Sequence, residues 1–265
     1  MGPLLSSKID SGYRMVKKKK RSVISNAQAI ARLEKMIPII FRNLQNAILI
    51  EATMKVGNDI VGEMSDRHFP GARAYNRIMK SLAYDLAMHL ARLYDVGSRR
   101  KPPNKRNIAS IPLALRLLRQ KRCKNLLSAR ARAWNPNDLS LADAFELNCL
   151  EAIERASKSY SEAFRGRHGR GNIKTLKEFR DNFMAHSLMN DSEANPIYNH
   201  LYRLTECARD FVQDARLAVE GRDDDLKKHE RIFADDARRF WRMALLGERD
   251  ESDALHQQLK TSIES

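Results

Sequence analysis

Apolar residues recur every three or four positions along most of the chain. Between Ala27 and about Gly62 they fall at Leu33, Met36, Ile37, Ile40, Leu44, Ala47 and Ile48, the spacing of an amphipathic helix. Pro38 interrupts the run. Either the helix kinks there, or a new one starts with Pro38 near its first turn. After the turn HFPG (68–71), Ile78, Leu82, Leu86, Leu90 and Leu93 mark one face of a helix over about 72–96, with Gly97 as its stop. Pro102–Pro103 makes RRKPPNKR a loop, and Ser110 with Pro112 opens a short basic helix over SIPLALRLLRQKR. WNPNDLS is a further loop, and a long helix follows over 141–164. RGRHGRGN (165–172) ends it and reads as an interhelix loop, although its backbone could touch phosphate. Helices over 173–189 and 197–220 flank the break NDSEANP, and 223–264 reads as helical pieces around Gly247. Period-two alternation is absent and no internal repeat occurs. The pattern predicts an all-α bundle with core helices at 38–63, 72–96, 141–164, 173–189 and 197–220.

Composition adds little to that picture, and charge adds more. The 265 residues are 43% apolar and 31% charged, as in a globular chain with a real core. Cys123, Cys149 and Cys207 form no CxxC or Cys–His cluster, so free thiols in a reducing, cytoplasmic compartment are expected, without structural zinc. No apolar run reaches the roughly 20 residues of a membrane span. No cofactor motif is present: there is no Walker loop, GxGxxG or GxSxG, and no two histidines stand at helical ligand spacing. The net charge of +15 is concentrated in two blocks. One is KKKKR at 17–21, in a basic arm spanning 1–26. The other is residues 97–134, with twelve Lys or Arg and no Asp or Glu. Such focusing suits a polyanion, and RNA contacts are expected from Arg99, Arg100, Lys101, Lys105, Arg106, Arg119, Lys121 and Arg122. Three parts follow: the arm 1–26, a bundle over 27–222, and a C-terminal helical extension over 223–265.

One stretch concentrates chemistry. KEFRDNFMAHSL (177–188) places Arg180, Asp181, Asn182 and His186 within seven residues. On a helix, six residues correspond to about 600° of rotation and about 9 Å of rise, so Arg180 and His186 stand about 120° apart. Asn182 and His186, at i and i+4, can touch. A two-fold axis would bring two Arg and two His into one cleft. Arg and His together suit RNA cleavage. Histidine can take the 2′-OH proton or give one to the 5′-oxygen, and arginine steadies charge on phosphorus. Residue types alone leave the other reading open, a salt-bridged surface Arg and a satisfied His.

FRDNFMAHSL resembles the Rx4–6H signature of the HEPN superfamily: an Arg, a polar neighbour, then a His after five intervening residues. LARLYDVGSRR (90–100), IASIPLALRLL (108–118) and the helix at 141–164 ahead of it are similar to the abortive-infection branch of that superfamily, over roughly 38–220. The resemblance implies an up-and-down helical bundle of four or five helices that forms a homodimer and a metal-independent endoribonuclease shared across the interface. It implies His186 as general acid/base, Arg180 as stabiliser of the pentavalent phosphate, and Asp181 as the residue that orients them. It also implies a toxin or phage-defence role, in some members with a nucleotidyltransferase antitoxin as partner. Asn182 joins the set by its helical position alone. Two other readings stand beside this one: a non-catalytic RNA- or nucleotide-binding bundle, and a protein–protein adaptor.

Overall fold

The computed structural model describes residues 24–64, 71–98, 100–165, 171, 173–178 and 198–248. They contain α1 (Asn26–Glu63), α2 (Ala72–Leu93), α3 (Ile111–Leu118), α4 (Lys121–Ala131), α5 (Ala142–Arg165), α6 (Tyr198–Glu220) and α7 (Leu226–Trp241), with helical residues 173–178 between α5 and α6. No strand occurs among the described residues. The all-α bundle expected from the sequence is the architecture observed.

Ser25 starts α1. Its hydroxyl accepts from the Gln28 N–H at 3.2 Å, and the Gln28 side-chain oxygen accepts from the Ser25 N–H at 3.0 Å. This reciprocal cap satisfies two donors that the first helical turn leaves free. The helix then runs unbroken through Pro38, so the expected core helix beginning at 38 is corrected to one beginning at Asn26. The reason is position. Pro38 and Glu34 both lie on the exposed face, so the Glu34 carbonyl deprived of its partner is on the water side.

Every apolar residue singled out between Leu33 and Ile48 is buried. α1 buries more than one face because it is the axis of the bundle, packing against α2, α3, α4, α6 and α7. On α2 the expected face is displaced. Ile78 is 44% exposed, while Tyr75, Met79 and Ala83 are buried together with Leu86, Leu90 and Leu93. Steps of seven from Leu93 reach Leu86 and Met79, and four more reach Tyr75, so the true stripe keeps a two-turn period that Ile78 breaks.

The basic segment expected as one short helix is two. Arg119 and Gln120 separate α3 from α4, and Gln120 is extended at φ −74°, ψ 125°. α4 buries Cys123, Leu127 and Ala131, spaced at four, and is packed against α5. α5 and α6 form the other long helical pair. α6 ends at Gly221, whose φ is +66°. A Cβ there would also stand 2.9 Å from the Trp134 ring, so both backbone and packing require glycine.

α7 closes the bundle over α1. Leu226, Ala237 and Trp241 are buried in the same core as α1 and α6. The Trp241 Nε1–H donates to the Thr53 carbonyl at 2.9 Å, and Tyr75 meets the indole edge-on at 5.2 Å. After α7 a π turn, Arg242–Leu246, ends at Gly247 with φ +69°. The helical pieces expected around Gly247 are observed on its N-terminal side, and residues 249–265 lie outside the described residues.

Candidate nucleic-acid interface

Residues Arg180, Asp181, Asn182 and His186, as well as Arg99, lie outside the described residues. What leads into the motif is described. Thr175 donates to the Gly171 carbonyl at 3.0 Å, and Lys174 pairs with Glu178 at 3.4 Å, each four residues apart. Leu176 is buried in the common core. The helical stretch 173–178 is thus anchored to the bundle two residues before Arg180.

The acid-free segment divides into free and committed cations. Arg106 donates from Nε to the Lys101 carbonyl at 3.0 Å and from Nη1 to the Val96 carbonyl at 2.5 Å. Arg119 reaches the Ser157 carbonyl at 3.0 Å and the Ser161 hydroxyl at 2.7 Å. Arg122 holds the Ile24 carbonyl at 2.6 Å, where the N-terminal arm joins α1. Lys124 pairs with Glu154, Arg130 with Glu34 at 2.8 Å, and Arg132 with Asp143 at 2.5 Å and Glu146 at 2.8 Å. The segment lacks acids of its own, but α1 and α5 supply them. Among the described residues, Arg100, Lys101, Lys105 and Lys121 have exposed side chains with no hydrogen bond or ion pair. These four are the cations left for a polyanion.

Two of the clefts among the described residues bear on binding. The first, about 920 Å³, lies between α1, α6 and α7, where Glu51, Lys55, Tyr202, Arg209 and Glu230 meet. Lys55 pairs with Glu51 at 2.5 Å and sits 5.0 Å from the centre of the Tyr202 ring, while Arg209 pairs with Glu230 at 2.6 Å. Burial pushes the Glu51 carboxyl up, against the pull of Lys55, and pushes the Tyr202 phenol up to about 12. Both signs of charge line this cleft, so it selects against neither cations nor anions. Sequence reasoning passed over it. The available signal was Glu51 inside the apolar run Ile48–Met54, with Lys55 four residues on.

The second cleft, about 790 Å³, lies between the first turns of α1 and residues 104–109. Arg32 and Lys35 project from α1, Lys105 and Arg106 from the loop, and no Asp or Glu lines it. Arg32 fastens the two walls, donating to the Asn104 carbonyl at 2.5 Å and to the Arg106 carbonyl. No helix among the described residues is long and apolar enough to cross a membrane.

A family model, HEPN_AbiU2, described as AbiU2, matches residues 27–240. No curated relative and no solved structure matches the chain. The matched span opens one residue after the first residue of α1 and closes one before the last of α7.

Proposed function

The chain belongs to the AbiU2 family, a HEPN-type abortive-infection domain, and on that premise we propose that it is a metal-independent endoribonuclease acting as a toxin or phage-defence effector. The observation that carries the proposal is the position of Arg180–Asp181…His186 inside the matched span, directly after a helical stretch anchored by Leu176. His186 takes the proton of the RNA 2′-OH and returns one to the departing 5′-oxygen. The 2′-oxygen attacks phosphorus, the P–O5′ bond breaks, and the products are a 2′,3′-cyclic phosphate and a 5′-hydroxyl. Arg180 balances the charge that builds on the non-bridging oxygens. Asp181 orients Arg180 or His186, and Asn182, four positions before His186 in the sequence, steadies the imidazole. Two copies of the chain share the site as a homodimer. RNA reaches it over the free cations of the 97–134 segment, in the cytoplasm, and a nucleotidyltransferase antitoxin is the partner that restrains it.

The test is RNA cleavage in EDTA by wild type and His186→Ala. Wild type is expected to cut and leave a 2′,3′-cyclic end, with the variant at least about a hundredfold slower, the low end of what a positioned acid or base contributes. Equal cutting by both proteins, or 3′-hydroxyl products, overturns the mechanism.

A further inference from the structure

We propose that the acid-free groove between α1 and residues 104–109 is a docking subsite for single-stranded RNA, with phosphate on Lys35 and Lys105 and a base on the apolar floor at Ile39 and Ile108. The inference rests on RNA being the substrate and names where the strand is gripped away from the cleavage chemistry.

Three features of the groove support it. First, its charge is one-sided. Lys35 and Lys105 are exposed and unpaired among the described residues. The acid closest in sequence to Lys35, Glu34, is drawn instead to Arg130 at 2.8 Å. The mixed cleft under α7 has no such bias, since Glu51, Glu206, Asp225 and Glu230 line it. Second, several electronegative atoms of the loop are already covered. Arg32 takes the Asn104 and Arg106 carbonyls, Arg106 takes the Lys101 carbonyl, and Arg116 takes the Asn104 side-chain oxygen at 2.8 Å. A phosphate approaching the loop therefore meets fewer bare carbonyls beside the lysine ammonium groups, and the wall is fixed before it arrives. Third, the floor is apolar. Ile39 is 49% exposed, and Met36 and Ile108 continue the surface into the groove.

A cationic rim over an apolar floor matches the two faces of an unpaired nucleotide, charged backbone outside and flat base inside. Asn107, exposed beside Ile108, and the NH₂ of Gln28, whose side-chain oxygen is spent on the Ser25 cap, supply donors for base edges. Duplex RNA hides its base faces and can use only the rim. An acidic protein could likewise use only the rim.

Binding is read by fluorescence anisotropy on the full chain carrying His186→Ala, so that bound RNA is not consumed. The probes are a labelled single-stranded RNA, the same sequence as duplex, and polyglutamate. Lys35→Glu/Lys105→Glu is expected to weaken single-strand binding by at least about tenfold and to lower the slope of log K against log salt by about two. Ile39→Ser should weaken the single strand about threefold or more, since a base loses its contact surface, and leave the duplex unchanged. Unfolding curves of the variants, all altered at exposed positions, should match the parent. Parental binding by both variants overturns the subsite, and so does polyglutamate or duplex binding as tightly as the single strand with the same losses. The nuclease reading fails separately. If the chain with His186 intact leaves RNA uncut while the groove variants still lose binding, cleavage falls and the subsite stands.

Discussion

At the scale of single residues, two positions carry more than their type suggests. Gly57 stands mid-helix in α1, where alanine would ordinarily gain about 1 kcal/mol. A Cβ at Gly57 would lie 2.9 Å from two atoms of the Trp241 indole. That ring is buried and hydrogen-bonded to Thr53, so it cannot retreat cheaply. Overpacking of this kind costs about 1–3 kcal/mol, and it wins. Gly57→Ala is expected to lower stability in urea unfolding, and a stabilised variant would show that the indole moves freely. His89 is the second. Its Nδ1 lies 3.2 Å from Asn43 Oδ1, and Asn43 spends its NH₂ on the Ile39 carbonyl at 3.1 Å, so Nδ1 carries the proton. Burial lowers the His89 pKa below 6.5, although Asp85 pulls it up. The unfolded chain then takes up this proton first as pH falls. The stability tied to neutral His89 is complete above 6.5 and is lost on acidification from 6.5 toward the lower folded value. Glu51, Asp210 and Asp214 have the opposite sign. Burial raises them, so they cost stability at neutral pH and release that cost as pH falls through their raised values toward the ordinary 4.5 and 3.8. Replacing His89 by Gln should therefore remove a loss of stability that sets in as pH falls below about 6.5. Parallel pH profiles for parent and variant would refute the assignment.

At the scale of elements, the turn from α6 to α7 hangs on Arg216. This buried guanidinium pairs with Glu220 at 2.9 Å and with Asp224, and lies 3.7 Å from the centre of the Phe41 ring on α1. Removing one member of a buried cluster costs about 3–5 kcal/mol. Glu220 and Asp224 keep 18% and 27% of their exposure, which softens the penalty for leaving them unpaired. Arg216→Met is thus expected to lose about 3 kcal/mol, and Arg216→Lys less, because it keeps the charge and loses only the fork and the stacking. A Met variant within about 0.5 kcal/mol of the parent would mean the cluster holds nothing. Of these partners only Glu220, one helical turn on, can be seen by reading along the chain; Asp224 and Phe41 cannot, and the same blindness explains which elements were legible. The long helices were, because burial on one side stamps a 3.6 period on them. α4 was missed because its apolar stripe is short and its charges drew attention to a surface role. Pro38 misled because a rule for helix interiors takes no account of whether the bared carbonyl meets water. The candidate site divides in the same way. Arg180 and His186 were legible as a pairing of types at a spacing. The fate of the basic segment was not, since Glu34, Asp143, Glu146 and Glu154 reach it only through folding.

At the scale of the whole molecule, the question is what the C-terminal helix contributes. Read along the sequence, 223–265 is an extension with mixed charge and no motif. In the fold, α7 supplies Leu226, Ala237 and Trp241 to the core shared by α1 and α6, and the family match runs to residue 240. Losing a buried Trp costs about 3–5 kcal/mol and a buried Leu about 2–5. Together these approach the 5–15 kcal/mol by which a whole domain is stable. Cutting the chain after Gly221 would also strip the cover from α1 between Thr53 and Gly57 and leave Arg216 without Asp224. The shortened protein is therefore expected to lose its cooperative thermal transition and to bind a hydrophobic dye such as ANS at room temperature. The full chain carrying Trp241→Phe, which keeps an aromatic ring but not the hydrogen bond to Thr53, should remain cooperative with a lowered midpoint. If the chain ending at Gly221 unfolds cooperatively within a few degrees of the full protein, α7 is an accessory, and the bundle is complete without it.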